Sequence, residues 1–247
     1  MARLKAMAGG VGKAGLFITS SGTGTGKTLI ACALCHQLRA RGLRVQGLKP
    51  VISGFDPAEA GESDTGLILR SLGRDISAES IAGISPFRFS APLAPNMAAK
   101  REGREIALGG IVNFCRQRAG DDFDVTLIEG VGGVMAPITD EATVIDWMAA
   151  LGFPALVVLG SYLGAISHGL TAVELLAARA IPIAGIIVNE SSESPVDLAE
   201  TVDNFRRFLP GHRIMAVPRI APGPNPWRRV PDLTGLLQAH MAAPISG

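Results

Sequence analysis

The sequence predicts an α/β domain built on a mostly parallel, doubly wound sheet with helices on both faces. Three observations carry that expectation. Short apolar runs alternate with helix-length amphipathic segments along most of the chain, as in a parallel sheet buried on both sides. The 247 residues are 47% hydrophobic and 18% charged, enough for one large domain with a substantial core. Residues Ser20-Ser-Gly-Thr-Gly-Thr-Gly-Lys-Thr28 then place a glycine-rich loop between the apolar run Leu16, Phe17, Ile18 and the helix-like Leu29, Ile30, Ala31.

In order, the first strand is expected over 15–19 and the helix after the loop over 27–41, where Ile30, Leu34 and Leu38 form an apolar stripe at i, i+4 spacing. A strand at 44–49 runs into Lys49-Pro50. Glu62-Ser63-Asp64 opens a helix at 63–72, with Ser63 as its N-cap and the acids suited to the positive helix end. Further strands are expected at 124–129, 155–160, 183–189 and 213–217, and helices near 104–118, 166–180 and 196–209. Pro222–Pro231, with Trp227 inside it, reads as an extended connection before a short helix from Asp232. The expected organisation is a flexible leader at 1–14, one domain over 15–220, and a C-terminal extension of it at 221–247.

The loop from Gly22 to Thr28 is a phosphate cradle of the P-loop type. Backbone N–H groups of Gly22, Gly24 and Gly26 can approach phosphate closely, Lys27 cancels phosphate charge, and the Thr28 hydroxyl can bind magnesium. The strict pattern wants glycine where Ser21 stands, but the remaining glycines keep the chemistry. A flexible turn with an incidental lysine would not place a strand before it and a helix after it. The chain is therefore expected to handle a nucleoside triphosphate.

Ligands in open α/β sheets gather beyond the carboxyl ends of strands. At one such end, Lys49 follows an apolar run and precedes a rigid proline, a second cation fit to stabilise a transferring phosphoryl group or an acyl-type oxyanion, with Ser53 close behind. At another, the strand 124–129 ends in Glu129 and then Gly130-Val-Gly-Gly133, the arrangement of a Walker-B carboxylate holding Mg²⁺ directly or through water. Asn189 ends a later strand with an amide able to donate and accept at a purine edge, and the chain lacks the Asn-Lys-x-Asp guanine signature.

Other classes are excluded or weakened. A net charge of +1 and scattered basic residues give no case for nucleic acid. No apolar stretch reaches the roughly 18 residues of a membrane helix, and residues 1–14 lack the apolar core of a signal peptide, so a cytoplasmic protein is expected. Cys32-Ala-Leu-Cys35-His36 matches the haem-attachment and redox patterns, yet it falls inside the helix after the loop, where small residues pack well. Cys115 is the only other cysteine, so no disulfide framework is implied.

Taken together, the chain resembles the dethiobiotin synthetases, the ATP-dependent carboxylases of biotin synthesis. The resemblance rests on Gly22–Thr28, Gly47-x-Lys49-Pro50-Val51-x-Ser53-Gly54, Ser63-Asp64, Pro86-Phe87-x-Phe89-x-x-Pro92-x-x-Pro95, Glu129-Gly130-x-Gly132-Gly133, Leu163-Gly164-x-Ile166-x-His168 and Asn189. It implies a homodimer that converts 7,8-diaminononanoate, CO₂ and MgATP to dethiobiotin, ADP and phosphate. Lys49, Lys27 and Thr23 would be catalytic. ATP would be bound by Gly22, Thr23, Gly24, Thr25, Gly26, Lys27, Thr28, Glu129, Gly132, Asn189 and Pro218, and Mg²⁺ by Thr28, Asp64 and Glu129. Ser53 would orient the substrate, while Leu163, Gly164 and Ser167 at a helix start would take its distant carboxylate across the dimer interface. Ser20, Gly24, Tyr162 and Ser167 depart from the family's usual residues. The rival readings are a ParA/MinD-type ATPase switch, which would show another lysine early in the loop, and a small-molecule kinase. A cobyrinate-type amidotransferase would need a further domain.

Overall fold

The computed structural model describes residues 14–120 and 122–237. Strand β1 (Ala14–Ser20) runs into the glycine loop and helix α1 (Lys27–Ala40), followed by β2 (Val45–Leu48), β3 (Val51–Ser53), a 3-10 helix at Pro57–Glu62 and α2 (Asp64–Ser71). Next come α3 (Ala78–Ile84), β4 (Phe87–Phe89), α4 (Pro95–Arg101), α5 (Leu108–Arg118) and β5 (Val125–Glu129). The chain continues through α6 (Val144–Leu151), β6 (Ala155–Leu159), α7 (Ala165–Ala178), β7 (Ile183–Asn189), α8 (Leu198–Phe208) and β8 (Ile214–Val217).

Six strands form one parallel sheet in the order β2-β5-β1-β6-β7-β8. The chain steps from β1 towards β2 and later from β6 towards β7, in opposite directions across the sheet. Right-handed crossovers therefore lay the intervening helices on opposite faces. Strand β1 lies in the middle, in register with β5 (Ile18 opposite Glu129) and β6 (Ser20 opposite Val158). That register brings the carboxyl ends of β1, β5 and β2 side by side, at the point where the winding reverses and ligands collect.

Both faces of the central strands are covered, so they read as continuous apolar runs rather than alternating ones: every residue of β2, β5 and β6 is buried. Phe17 and Trp147 are fully buried and meet edge to face, with centroids 4.8 Å apart and planes at 85°. Such a contact adds about 0.5–1.5 kcal/mol to the burial itself. Cys32 and Cys35 lie buried on the inner side of α1 as free thiols. Burial pushes both above the ordinary thiol range, Cys35 to about 12, which suits packing and not redox exchange.

The expected strand 44–49 is two elements. Pro50 offers no N–H to a ladder, and the chain leaves the main sheet after Leu48 to pair β3 with β4 in a separate two-stranded sheet, Val51 opposite Phe87 and Ser53 opposite Phe89. Helices α3, α4 and α6 were not anticipated, and α5 starts at Leu108 rather than near 104. The stretch 222–231 is no loose connection. It contains a 3-10 helix at Pro226–Arg229 that buries Trp227, and the Gln37 side chain of α1 donates to the carbonyls of Val230 and Pro231 at 3.2 and 2.9 Å while accepting from Leu233 N–H at 2.9 Å. The helix expected from Asp232 is a 3-10 turn at Thr234–Leu237. Residues 1–13 and 238–247, within the leader and extension read from the sequence, lie outside the described residues. Among the described residues no helix is long and apolar enough to cross a membrane.

Candidate active site

The site begins with the turn from β1 into α1. Gly26, the N-cap of α1, has φ 93°, a left-handed conformation that costs glycine little and other residues more. Gly133, in the loop after β5, packs on this turn: a Cβ there would lie 2.9 Å from the Ser21 carbonyl. The glycines after Glu129 thus let the Walker-B loop close onto the phosphate loop.

Ser20 carries more than a strand end. Its fully buried hydroxyl donates to the Gly22 carbonyl at 2.6 Å, with the Gly132 carbonyl a second acceptor at 3.1 Å, and accepts from Lys27 Nζ at 2.9 Å. Lys27 also donates to the Gly22 carbonyl at 3.1 Å. Burial first, and the neighbouring Lys49 charge second, lower its pKa to about 8. An arriving phosphate would favour the ammonium form by supplying the counter-charge that the loop carbonyls lack.

Lys49 is the centre of the constellation. Its side chain is only 3% exposed, and Nζ lies 2.7 Å from Glu129 Oε1, 2.8 Å from Asp64 Oδ2 and 2.9 Å from the Gly130 carbonyl. Its backbone is held too, by an N–H bond to the Ile84 carbonyl at 3.1 Å and by the buried Ser85 hydroxyl on its own carbonyl. Burial opposes the charge, but Glu129 and Asp64 outweigh it and raise the ammonium pKa to about 12. Asp64 is shifted the other way: its burial is outweighed by Lys49 and by the Thr28 hydroxyl, which hold the carboxyl below the usual range. Glu129, fully buried, is pushed up by desolvation despite Lys49.

The Thr28 hydroxyl lies 2.8 Å from Asp64 Oδ1 and 2.9 Å from Glu129 Oε1, so the three oxygen-bearing side chains converge on one point. Glu129 Oε2 is buried without a partner. Two carboxylates, one of them with this free oxygen, and a hydroxyl make an all-oxygen donor set of the kind that could hold Mg²⁺. Ser63 caps α2 as expected, accepting from Gly66 N–H at 3.2 Å, and thereby points the first turn with Asp64 into the site.

These residues line a cleft of about 830 Å³. Of the sequence-derived residues, Gly22, Thr23, Gly24, Gly26, Lys27, Thr28, Lys49, Ser53, Asp64, Glu129 and Gly132 all face it. Thr25, also in the loop, is buried and does not line the cleft. Ile52, Pro92–Pro95, Val131 and Ala136 add apolar lining to the cleft, to which the sequence assigns no role. The Ser53 hydroxyl is buried there without a partner. Asn189 reaches the loop from β7, its amide donating to the Thr25 carbonyl at 3.0 Å, and lines a smaller cleft of about 290 Å³ with Gly24, Tyr162 and Arg219. Pro218 is exposed just past β8. Leu163, Gly164 and Ser167, at the start of α7, are exposed and do not line the main cleft of their own chain; Leu163 is 85% exposed.

A parallel sheet with its glycine loop, lysine and Walker-B carboxylate at the carboxyl ends defines a P-loop nucleotide-binding protein. Solved structures agree on the fold: a ParA family ATPase from Chlorobium tepidum matches with a TM-score of 0.51 at 15% identity, covering 93% of this chain and 91% of that one. The signal recognition particle receptor FtsY of Elizabethkingia anophelis, with bound GDP, matches at 0.51 and 12% identity over 91% of this chain and 61% of that one. The AAA domain family model matches residues 14–225. Sequence relatives narrow the class further. The chain is 48% identical over 205 residues to the ATP-dependent dethiobiotin synthetase BioD of Caulobacter vibrioides, covering 83% of this chain and 92% of the relative. It is 44% identical over 210 residues to that of Methylobacterium nodulans, with the same coverages, and 43% identical over 194 residues to that of Acidiphilium cryptum, covering 78% and 87%. The chain belongs to the ATP-dependent dethiobiotin synthetase family.

Proposed function

We propose that this chain is a ligase that joins CO₂ to 7,8-diaminononanoate at the expense of ATP, giving dethiobiotin, ADP and phosphate. The observation that carries the reading is the convergence of Lys27, Lys49, Thr28, Asp64 and Glu129 on one cleft, in a chain of this family.

One amine of the substrate adds to CO₂ and loses a proton to give a carbamate. A carbamate oxygen attacks the γ-phosphorus, ADP leaves, and a carbamic-phosphoric anhydride remains. The second amine then attacks the carbamate carbon, closing the cyclic urea and expelling phosphate. The nucleophile of the phosphoryl step is already anionic, so that step needs alignment and charge compensation more than a base of unusual pKa. Lys27, cradled by the loop, would neutralise phosphoryl oxygens. Lys49 would turn from its carboxylate partners to the carbamate and the transferring group. Thr23 and Ser53, which both line the cleft, would orient the diamine. Thr28, Asp64 and Glu129 would hold Mg²⁺, which supplies charge neutralisation to the phosphates when bound.

The nucleotide base would extend from the loop towards Asn189 and Pro218. Leu163, Gly164 and Ser167, exposed and outside the lining of their own chain's main cleft, would serve the substrate carboxylate of a second copy, which would make a homodimer the working unit. Helix α7 starts at Ala165 and offers free backbone N–H groups for that anion. A cytoplasmic location fits an enzyme of small metabolites.

Steady-state ADP release by the purified protein tests the reading. ADP formation is expected to require diaminononanoate, bicarbonate and Mg²⁺ together. Turnover without the diamine, or stimulated by DNA or vesicles, would replace it with an ATPase switch. Diamine-dependent turnover indifferent to bicarbonate would replace it with a kinase.

A further inference from the structure

Asn189 stands at the last position of β7, two strands away from β1 in the sheet, yet its side chain reaches the phosphate loop. The amide Nδ2 donates to the Thr25 carbonyl at 3.0 Å. Among the described residues, it is the only side chain from outside residues 20–27 that hydrogen-bonds residues 21–26; the other side-chain bonds to the loop come from Ser20, Thr25 and Lys27 within it. The contact is close as well as polar. A Cβ on Gly26 would lie 2.3 Å from Nδ2, so glycine at the helix cap makes room for this amide in addition to taking a left-handed turn.

The Thr25 carbonyl belongs to the peptide unit that supplies the N–H of Gly26, and the next N–H groups are those of Lys27 and Thr28 at the start of α1. Tying that carbonyl back towards β7 fixes the tilt of the peptide plane, and in a trans peptide the N–H is held facing the other way, at a residue that lines the cleft. A carbonyl accepting from Asn189 also cannot swing inward, where its oxygen would meet phosphate oxygens with like charge. The amide's carbonyl oxygen and its second N–H remain for a base in the adjoining small cleft.

We infer that Asn189 is a positioning residue for triphosphate binding: it braces the phosphate loop through the Thr25 carbonyl, so its contribution is made to the phosphates whatever base they carry. The inference rests on the nucleotide-site reading above and gives Asn189 a task separate from base recognition.

Isothermal titration with Mg-tripolyphosphate, MgATP and MgGTP separates the two tasks, because the first ligand has no base. Asn189→Ala removes the brace, and Asn189→Leu removes the donor while keeping the same branching of side-chain heavy atoms. Both are expected to bind all three ligands about fivefold more weakly, the loss of one net hydrogen bond, with the ratio of ATP to GTP affinity unchanged. Melting temperatures measured alongside are expected to stay close to wild type, since Asn189 is only half-buried at a strand end. Unchanged tripolyphosphate affinity in both variants, with ATP alone weakened, would overturn the brace and leave base reading. So would a lowered melting temperature with tripolyphosphate affinity intact, the mark of a purely structural contact. Failure of the wild-type protein to bind tripolyphosphate and ATP would instead refute the nucleotide site itself.

Discussion

Replacing Lys49 by Met removes the ammonium that sits between Asp64 and Glu129 and leaves the stem volume in place. The cost can be worked from the structure. Lys49 is 3% exposed and its pKa is raised from 10.5 to about 12, which corresponds to about 2 kcal/mol in favour of the charged, paired form. Breaking a buried pair by deleting one partner costs about 3–5 kcal/mol, because a desolvated charge remains. Protonation of Glu129, whose carboxyl burial already pushes up, offsets part of this. A loss of about 2–3 kcal/mol at neutral pH is therefore expected in metal-free buffer. The folded pKa lies above the unfolded one, so the stabilisation is fully present below about pH 10 and is lost only as pH rises through about 12. Urea unfolding at pH 7.5 measures it as a lower midpoint at unchanged slope, within the usual range. Adding Mg²⁺ is expected to close most of the gap, since the cation takes over between the same carboxylates. Equal stability of variant and wild type without metal, or an equal Mg²⁺ effect on both, would refute the view that Lys49 and the metal share these oxygens. Turnover of Lys49→Met is expected to fall far more than ATP affinity.

Glu129→Gln removes a charged ligand and is expected to raise the Mg²⁺ concentration for half-maximal activity by about tenfold or more; an unchanged metal titration would remove Glu129 from the metal site. Asp146 accepts from the Thr143 N–H at 2.8 Å and from Arg179 at 2.7 Å, contacts that hold its carboxyl below the usual range. Asp146→Asn is expected to cost about 1 kcal/mol at pH 7, and because a depressed pKa stabilises only above the unfolded value, the difference from wild type should fade below about pH 4 in urea titrations at stepped pH. Trp227→Ala, at the buried residue of the 3-10 helix Pro226–Arg229, is expected to cost about 3–5 kcal/mol and to lower the melting temperature, whereas a loose tail would leave it unchanged.

The phosphate loop, β1, α1 and the acid at the end of β5 were legible because local chemistry and periodicity agree there: glycines before Lys27-Thr28, and an apolar run closed by Glu129. Lys49 was legible as a cation at a strand end, but its pairing with Asp64 and Glu129 was not, since 15 and 80 positions of chain separate the partners along the sequence. By its own residue chemistry Asp64 reads as a helix-start acid, and only the family resemblance offers it as a metal ligand; the fold turns that helix start into the cleft. The β3–β4 pair was hidden because three-residue strands carry too little periodicity, and Pro50 marks a break without saying where the chain goes next. Trp227 lies among prolines and glycine that signal a loop, and its burial depends on Gln37 and the surface of α1, a long-range match that composition does not encode. Ser20 looked like a departure from pattern, yet its hydroxyl is what joins the loop to Gly132 and to Lys27.

The most direct measurement supplies ¹³C-bicarbonate with diaminononanoate and MgATP to the purified protein and follows the carbon by NMR and mass spectrometry. The account requires the label to appear in the carbonyl of a cyclic urea, in equal amounts with ADP and phosphate. ADP formation with no labelled ring product would contradict it.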